Sequence, residues 1–352
     1  MNRTELVELI RSIEPPRAAR RSTVQAHLDD LTKPPGSLGR LESTAKRLAR
    51  IYGDPPPDLT RRAIFVFAAD HGVTIQGVSA YPAEVTPQMC TVLGAGRAAI
   101  SVLARATHSR VIAVDVGVNC DRRELGVLNR RVARGTRDLS ECDAMTEAET
   151  VAAISCGYEV AAAELRQLDI VGIGELGIGN TTSAAALTAA LAPASVHDVV
   201  GRGTGIDDDT LRRKRTVVAE ALARVRPGDD GLRVLARLGG LEIAALIGVL
   251  LAAASTSKAI VLDGFVATAS ALVAARLNPA LRNYCIASHL SPEPGHRVQL
   301  RALRLRPLLR LDLRLGEGTG AALAFPIIEA AGRLLSEMAR FSDAQVSSRV
   351  SS

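Results

Sequence analysis

The stretch DIVGIGELGIGNTTSAAAL (169–187) decides how the chain is read. Ile170, Val171 and Ile173 mark 169–173 as a short β-branched strand, glycines at 172, 174, 177 and 179 make the turn, and the alanine-rich end reads as a helix. A strand passing through a glycine-rich turn into a helix is half of a βαβ unit. The same alternation recurs on both sides. Candidate strands at 63–68, 110–114, 169–173, 259–262, 284–288 and 309–315 are separated by longer Ala/Leu-rich helical segments. The pattern predicts an α/β fold with a parallel sheet of six strands.

The last of these strands has the clearest periodicity. Leu309, Leu311, Leu313 and Leu315 alternate with Arg310, Asp312 and Arg314, which predicts an edge or half-covered strand. Thr86-Pro87 predicts a helix start, and Thr146 with Glu149 a capping box. Behind that box, Val151, Ile154, Tyr158, Ala161, Leu165 and Leu168 recur every three or four residues as one apolar helix face. Residues 1–58 read as helices broken by Pro15-Pro16, Pro34-Pro35 and Pro55-Pro56-Pro57, and the polar end DAQVSSRVSS (343–352) reads as disordered.

Composition narrows the function. Aromatic residues make up only 3% of the 352 and tryptophan is absent, which leaves no stacking platform for single-stranded nucleic acid. The net charge of +6 is spread among acids, the pattern of a solvated surface and one suited to small anionic substrates. Five dispersed cysteines without a C-x-x-C pair suggest reduced thiols and a cytoplasmic location. The amphipathic start MNRTELVELIRSIEPP does not read as a signal peptide. The longest apolar run, Ile243–Ala254, falls short of the roughly 20 residues a bilayer span needs and reads as a buried helix. Neither nucleic acid nor membrane is expected as a partner.

Chemistry is expected where the strands end. Asp70-His71-Gly72, Asp115-Val116-Gly117, Glu175, Asp263-Gly264, His289 and Gly316-Glu317-Gly318 follow the six candidate strands in turn. Ligands of open α/β sheets sit outside the carboxyl ends of the strands, so these groups point to one convergent site. Two amide-rich loops, 172–187 with Thr181 and Thr182, and GRGTGIDDDTLRRK (201–214) with Lys214, each lead into a helix. Helix N-termini favour anions, and two such loops suggest a phosphate monoester held from two sides. Gly172, Gly174 and Gly177 also match G-x-G-x-x-G with Asp198 downstream, which keeps a nicotinamide-dependent dehydrogenase as an alternative. A non-catalytic nucleotide sensor is a third reading. Walker A and G-x-S-x-G motifs are missing. His289 and His296 flank SPEP without zinc spacing, and His27 and His108 read as structural.

Eight segments then carry a resemblance: KPPGSLGRLE (33–42), AADHGV (68–73), GVSAYPAEVTPQM (77–89), GIGELGIGNTTSAAAL (172–187), VGRGTGID (200–207), LDGFVATASALVA (262–274), SHLSPEPGH (288–296) and LRLGEGTGAALA (313–324). In this order along nearly the whole chain, they resemble the nicotinate-nucleotide–dimethylbenzimidazole phosphoribosyltransferase family of cobalamin lower-ligand synthesis. The resemblance implies a homodimer in which a Rossmann-like α/β catalytic domain (60–318) pairs with a small helical domain from both chain ends (1–59 and 319–352).

The implied reaction moves phosphoribose from nicotinate mononucleotide to 5,6-dimethylbenzimidazole, with inversion at the anomeric carbon, and needs neither metal nor cofactor. Glu317 matches the family's general base and Glu175 a second acid. Tyr81, Gln88, Leu176 and Leu315 fall where the family builds its aromatic-base pocket, and the small Ala80 leaves room there. Gly177, Ile178, Gly179, Asn180 and Thr181, with Gly203 and Lys214, are expected around the phosphate. Asp263 is expected to support the sugar, and Gly264 and Ser291 are expected to bind substrate.

Overall fold

The structure is a computed structural model and describes residues 1–121 and 125–343. Apart from Asp343, the tail expected to be disordered lies outside the described residues. Six parallel strands form one sheet: β1 (Arg62–Ala69), β2 (Arg110–Gly117), β3 (Leu128–Asn129), β4 (Ile170–Leu176), β5 (Ile260–Leu262) and β6 (Cys285–Ala287). Their spatial order is β3-β2-β1-β4-β5-β6. The chain therefore starts in mid-sheet, builds outward to one edge, and returns to build the other half beside its starting strand. That reversal between β1 and β4 opens a crevice at the carboxyl ends, the Rossmann-type location for a ligand. Every residue of β1 is buried, as expected of a central parallel strand covered on both faces.

The helices follow in order: α1 (Arg3–Ser12), α2 (Arg21–Asp30), α3 (Arg40–Tyr52), α4 (Val85–Gly94), α5 (Ala99–Ala106), α6 (Glu147–Glu164) and α7 (Asn180–Leu191). After them come α8 (Val196–Val199), α9 (Asp208–Ala223), α10 (Gly231–Leu238), α11 (Leu241–Ser255), α12 (Phe265–Leu277), α13 (Pro294–Leu303) and α14 (Thr319–Glu337). The apolar run at 243–254 lies within α11, and it is buried throughout. The capping box is present: Thr146 accepts from the Glu149 amide and Glu149 accepts from the Thr146 amide. The apolar stretch Val85–Ala106 is long enough to span a bilayer by composition, yet it is two helices separated at 95–98.

Two expectations need correction. The 309–315 segment is not a strand; only Leu309 makes a bridge, to His289, and the sixth strand is β3 at the opposite edge. Asp312 has φ of +52°, which breaks an extended run, and Leu311 and Leu315 are 51% and 59% exposed. Leu309 packs against the core, whereas Leu311 and Leu315 find no cover within this chain. Similarly, α4 begins at Val85, one residue before the expected cap, with Glu84 flanking it. The Thr86 hydroxyl instead accepts the Ile178 amide at 3.1 Å, joining α4 to the turn after β4.

The core is one large cluster around the sheet. A separate small cluster joins Val24, Leu28, Leu31, Ala45 and Ala49 to Leu335, so both chain ends meet. The tightest packing is between α6 and α11. A Cβ at Gly157 would lie 1.8 Å from the Ala245 carbonyl oxygen, and one at Gly248 would lie 2.0 Å from that of Ile154. Gly157→Ala gains about 1 kcal/mol of helix propensity. The backbone clash outweighs it, since overpacking costs about 1–3 kcal/mol or more and no flexible side chain can yield here. The variant is expected to show a lower urea midpoint than the wild type, and an equal or higher midpoint would contradict this packing.

Candidate active site

The crevice holds a cavity of about 440 Å³. The end of β4 supplies Glu175 and Leu176, the turn after it Gly177, Ile178 and Gly179, and α7 adds Asn180 and Thr181. Gly203 and Thr204 come from the loop before α9, Gly264 and Phe265 from the start of α12, and His289, Ser291 and Glu293 from the segment after β6. Leu313, Arg314, Leu315, Gly316 and Glu317 close one side, and Val78, Ser79, Tyr81, Val85 and Met89 form an outer wall.

Glu317 is held on an unusual turn. Gly316, Glu317 and Gly318 have φ of +89°, +61° and +85°, three successive left-handed residues. A non-glycine residue is strained there, and such strain persists only when the surroundings fix it. They do. The Glu317 amide donates to the Glu175 carbonyl at 3.0 Å, and the Asp263 carboxylate accepts from Gly318 at 3.0 Å and Gly320 at 2.7 Å. Gly174 lets the turn lie on β4, because a Cβ there would be 2.2 Å from the Gly318 nitrogen. The Glu317 side chain reaches the N-terminus of α5 and accepts from the Ile100 amide at 3.3 Å.

Burial raises the proton affinity of all three acids. Glu175 is shifted well above the usual carboxylate range by desolvation and by the charges of Asp263 and Glu242, against a hydrogen bond from Asn180. Asp263 is pushed up to about 7 by burial, despite its backbone donors. Glu317 is raised by burial, opposed by the Ile100 amide. Buried carboxyls with neighbouring negative charge are poised to take or hold a proton near neutral pH.

Several expected residues lie outside the cavity wall. Gln88 is exposed on α4, Lys214 is buried behind Gly203, where its ammonium donates to the Thr181 hydroxyl at 2.7 Å, and Asp263 is engaged with the α14 turn. Desolvation brings Lys214 down to about 8, and the Glu293 charge opposes that shift. The Gly203 amide already donates to Glu293 at 2.8 Å. Nor do all the strand ends converge. Asp70 accepts the Asn119 amide, His71 pairs with Glu242 at 2.7 Å, and Asp115 pairs with Arg131 at 2.7 Å, all away from the cavity wall. His296 is buried, bonds Thr268, and accepts the Ser291 amide at 3.0 Å, so it supports Ser291. His27 pairs with Asp54 at 2.9 Å. Among the described residues no His, Cys, Asp and Glu cluster has the makings of a metal site. Asp198 caps the short helix α8 rather than ending a strand, which removes the dinucleotide fingerprint.

Comparison with known proteins is decisive at this point. A family model described as phosphoribosyltransferase matches residues 13–346. The chain belongs to that family. The nicotinate-nucleotide–dimethylbenzimidazole phosphoribosyltransferase of Geobacter sulfurreducens is 48% identical over 97% of this chain and 98% of its own. That of Desulforudis audaxviator is 50% identical over 91% of each chain. The crystal structure of CobT from Thermus thermophilus superposes with a TM-score of 0.90 at 49% identity, covering 93% of this chain and 98% of that one.

In this phosphoribosyltransferase the sequence missed Ser79, Thr204 and Glu293, whose places depend on contacts between distant segments. The site turn itself gives a test. Gly174→Ala would press on the Gly318 nitrogen and displace Glu317. A misplacement of about 1 Å can cost on the order of a hundredfold in rate. Initial-rate assays are expected to show that loss mainly in kcat; unchanged turnover would mean the turn tolerates the shift.

Proposed function

We propose that the protein transfers phosphoribose from nicotinate mononucleotide to 5,6-dimethylbenzimidazole, giving α-ribazole 5′-phosphate and nicotinate. The reading rests on one observation above the others. A buried carboxylate, Glu317, is fixed on a strained turn at the wall of a largely apolar cavity beside a helix N-terminus. The names carried by the full-length relatives support the same substrates.

One benzimidazole nitrogen attacks C1′ of the ribose. The bond from C1′ to the nicotinate nitrogen breaks, and its electron pair neutralises the pyridinium ring. The other benzimidazole nitrogen gives its proton to Glu317, and attack opposite the leaving group inverts the anomeric centre. Glu175, with its strongly raised proton affinity, assists as a second acid or orients substrate. The phosphate is assigned to the N-terminus of α7, where Thr181 lines the cavity and the Lys214 charge stands behind it. Tyr81, Leu176 and Leu315 are assigned to the base, and Gly264 and Ser291 to the sugar.

We also assign residues 60–318 to a catalytic domain and 1–59 with 319–352 to a small helical domain, a division supported by the separate apolar cluster at the chain ends. A homodimer is proposed because Leu311 and Leu315 stand exposed beside the cavity. A cytoplasmic location fits five cysteines dispersed along the chain without a C-x-x-C pair.

Glu317→Gln keeps the shape but removes the base, so kcat is expected to fall by about two to four orders of magnitude. In the wild type, protonated Glu317 is inactive. Because burial raises its proton affinity in the free protein, kcat/KM is expected to climb with pH through a limb lying above the ordinary glutamate value of about 4.3. Near-normal turnover of the variant with dimethylbenzimidazole would reject Glu317 as the base.

Metal independence is a second test. The donor carries a single phosphate monoester and a leaving group that departs as a neutral ring, so neither end requires a Lewis acid. Activity is expected to survive exhaustive EDTA treatment. Loss on chelation, restored by one equivalent of a metal, would overturn the mechanism.

A further inference from the structure

The loop at 201–205 touches both halves of the cavity. On the inner side the Gly203 amide is gripped by Glu293 at 2.8 Å. On the outer side the Thr204 hydroxyl oxygen accepts the Ala80 amide at 2.9 Å and shares a 3.2 Å hydrogen bond with the Ser79 hydroxyl. Ser79 in turn accepts the Tyr81 amide at 3.2 Å. One side chain thus organises the backbone of the 79–81 segment, half-buried at Ser79 and exposed at Ala80 and Tyr81, which presents Tyr81 to the cavity.

The loop is stiff enough to act as such a support. Gly203 and Gly205 have φ of +51° and +98°, left-handed values that fold the chain tightly on both sides of Thr204. The Gly205 amide donates to the Arg202 carbonyl at 2.9 Å, and Arg202 reaches the Ile206 carbonyl at 2.8 Å. Thr204 is therefore presented from a closed turn, whereas Ala80 and Tyr81 are exposed and depend on what they are tied to. Their amide contacts here end on two hydroxyls, those of Thr204 and Ser79.

We propose that Thr204 is a positioning residue that holds the Ser79–Tyr81 wall in place for the acceptor base. This rests on the assignment of Tyr81 to the base in the functional reading above. The effect runs through the hydroxyl as hydrogen-bond acceptor, so size alone does not replace it. The acceptor half should feel the loss, and the donor half, anchored separately through Glu293 and Gly203, should not.

The test uses the full-length protein with Thr204→Val, which keeps the shape, and Thr204→Ser, which keeps the hydroxyl. Initial rates are measured while nicotinate mononucleotide and dimethylbenzimidazole are varied in turn. Equilibrium binding of dimethylbenzimidazole is followed separately by its own fluorescence. Losing one such hydrogen bond corresponds to a change of roughly tenfold. The valine variant is expected to raise KM and Kd for the base by roughly that factor, with the donor KM within about twofold of wild type, and serine is expected to restore the base values. Equal shifts for both substrates, an unchanged base Kd in the valine variant, or a serine variant as poor as valine would overturn the proposal. A wild type that binds the base but does not turn over would fail the transferase reading alone, and the binding arm would still decide the role of Thr204.

Discussion

Asp263 ties the site together. It stands at the end of β5, buried, and its two oxygens accept the amides of Gly318 and Gly320 at the start of α14. A carboxylate that satisfies helix-terminal amides stabilises the helix start and leaves few buried donors unpaired. Here the same pair of bonds fixes where α14 begins, and hence where the residue just before that helix projects. Glu317 holds its left-handed backbone because Asp263 grips one side of the turn and the Glu175 carbonyl the other. Replacing Gly174 by any larger residue would separate the turn from β4.

That arrangement brings three acids close together in a buried place, and their mutual repulsion adds to the cost of desolvation. Desolvation pushes Asp263 up to about 7 against its backbone donors, and it raises Glu175 well above the usual carboxylate range together with the charges of Asp263 and Glu242, against the Asn180 hydrogen bond. Glu317 lies between an apolar wall and the α5 amides. A base needs a site that can accept a proton without leaving its charge too comfortable, and partial compensation by a helix N-terminus meets that need. On the opposite side Lys214 is buried against Thr181, and Glu293 is the negative charge across Gly203 from it. This side of the cavity is therefore a balanced electrostatic construction rather than a plain basic cleft.

Much of this was readable from the residues alone, for reasons that differ from element to element. Buried parallel strands are short continuous apolar runs, so β1, β2, β4, β5 and β6 announced themselves. β3 has two residues and no periodicity to detect. The 309–315 segment mimicked a strand because its leucines alternate, yet alternation reports a half-covered surface without saying what covers it. Glu175 and Glu317 were visible because glycines flank them on the chain. Glu293 and Thr204 were not, because their partners lie 90 and 124 residues away in sequence. Lys214 and Asp263 read as substrate-binding residues, but their positions behind the wall are a matter of burial that spacing cannot reveal.

The mid-sheet start of the chain has a consequence for how the molecule comes into being. β1 must wait for β4 across roughly a hundred residues before the two can pair, and the Glu317 turn closes over them later still. Contacts that span long loops are formed slowly, since chain entropy is lost before they contribute. During synthesis, the outer sheet half and its helices can condense as soon as they emerge. The crevice has no floor until β4 arrives, and the Glu317 turn has no anchor until α14 begins. The cavity is therefore walled on all sides only after the segment that carries Glu317 has joined β4, late in the order of the chain.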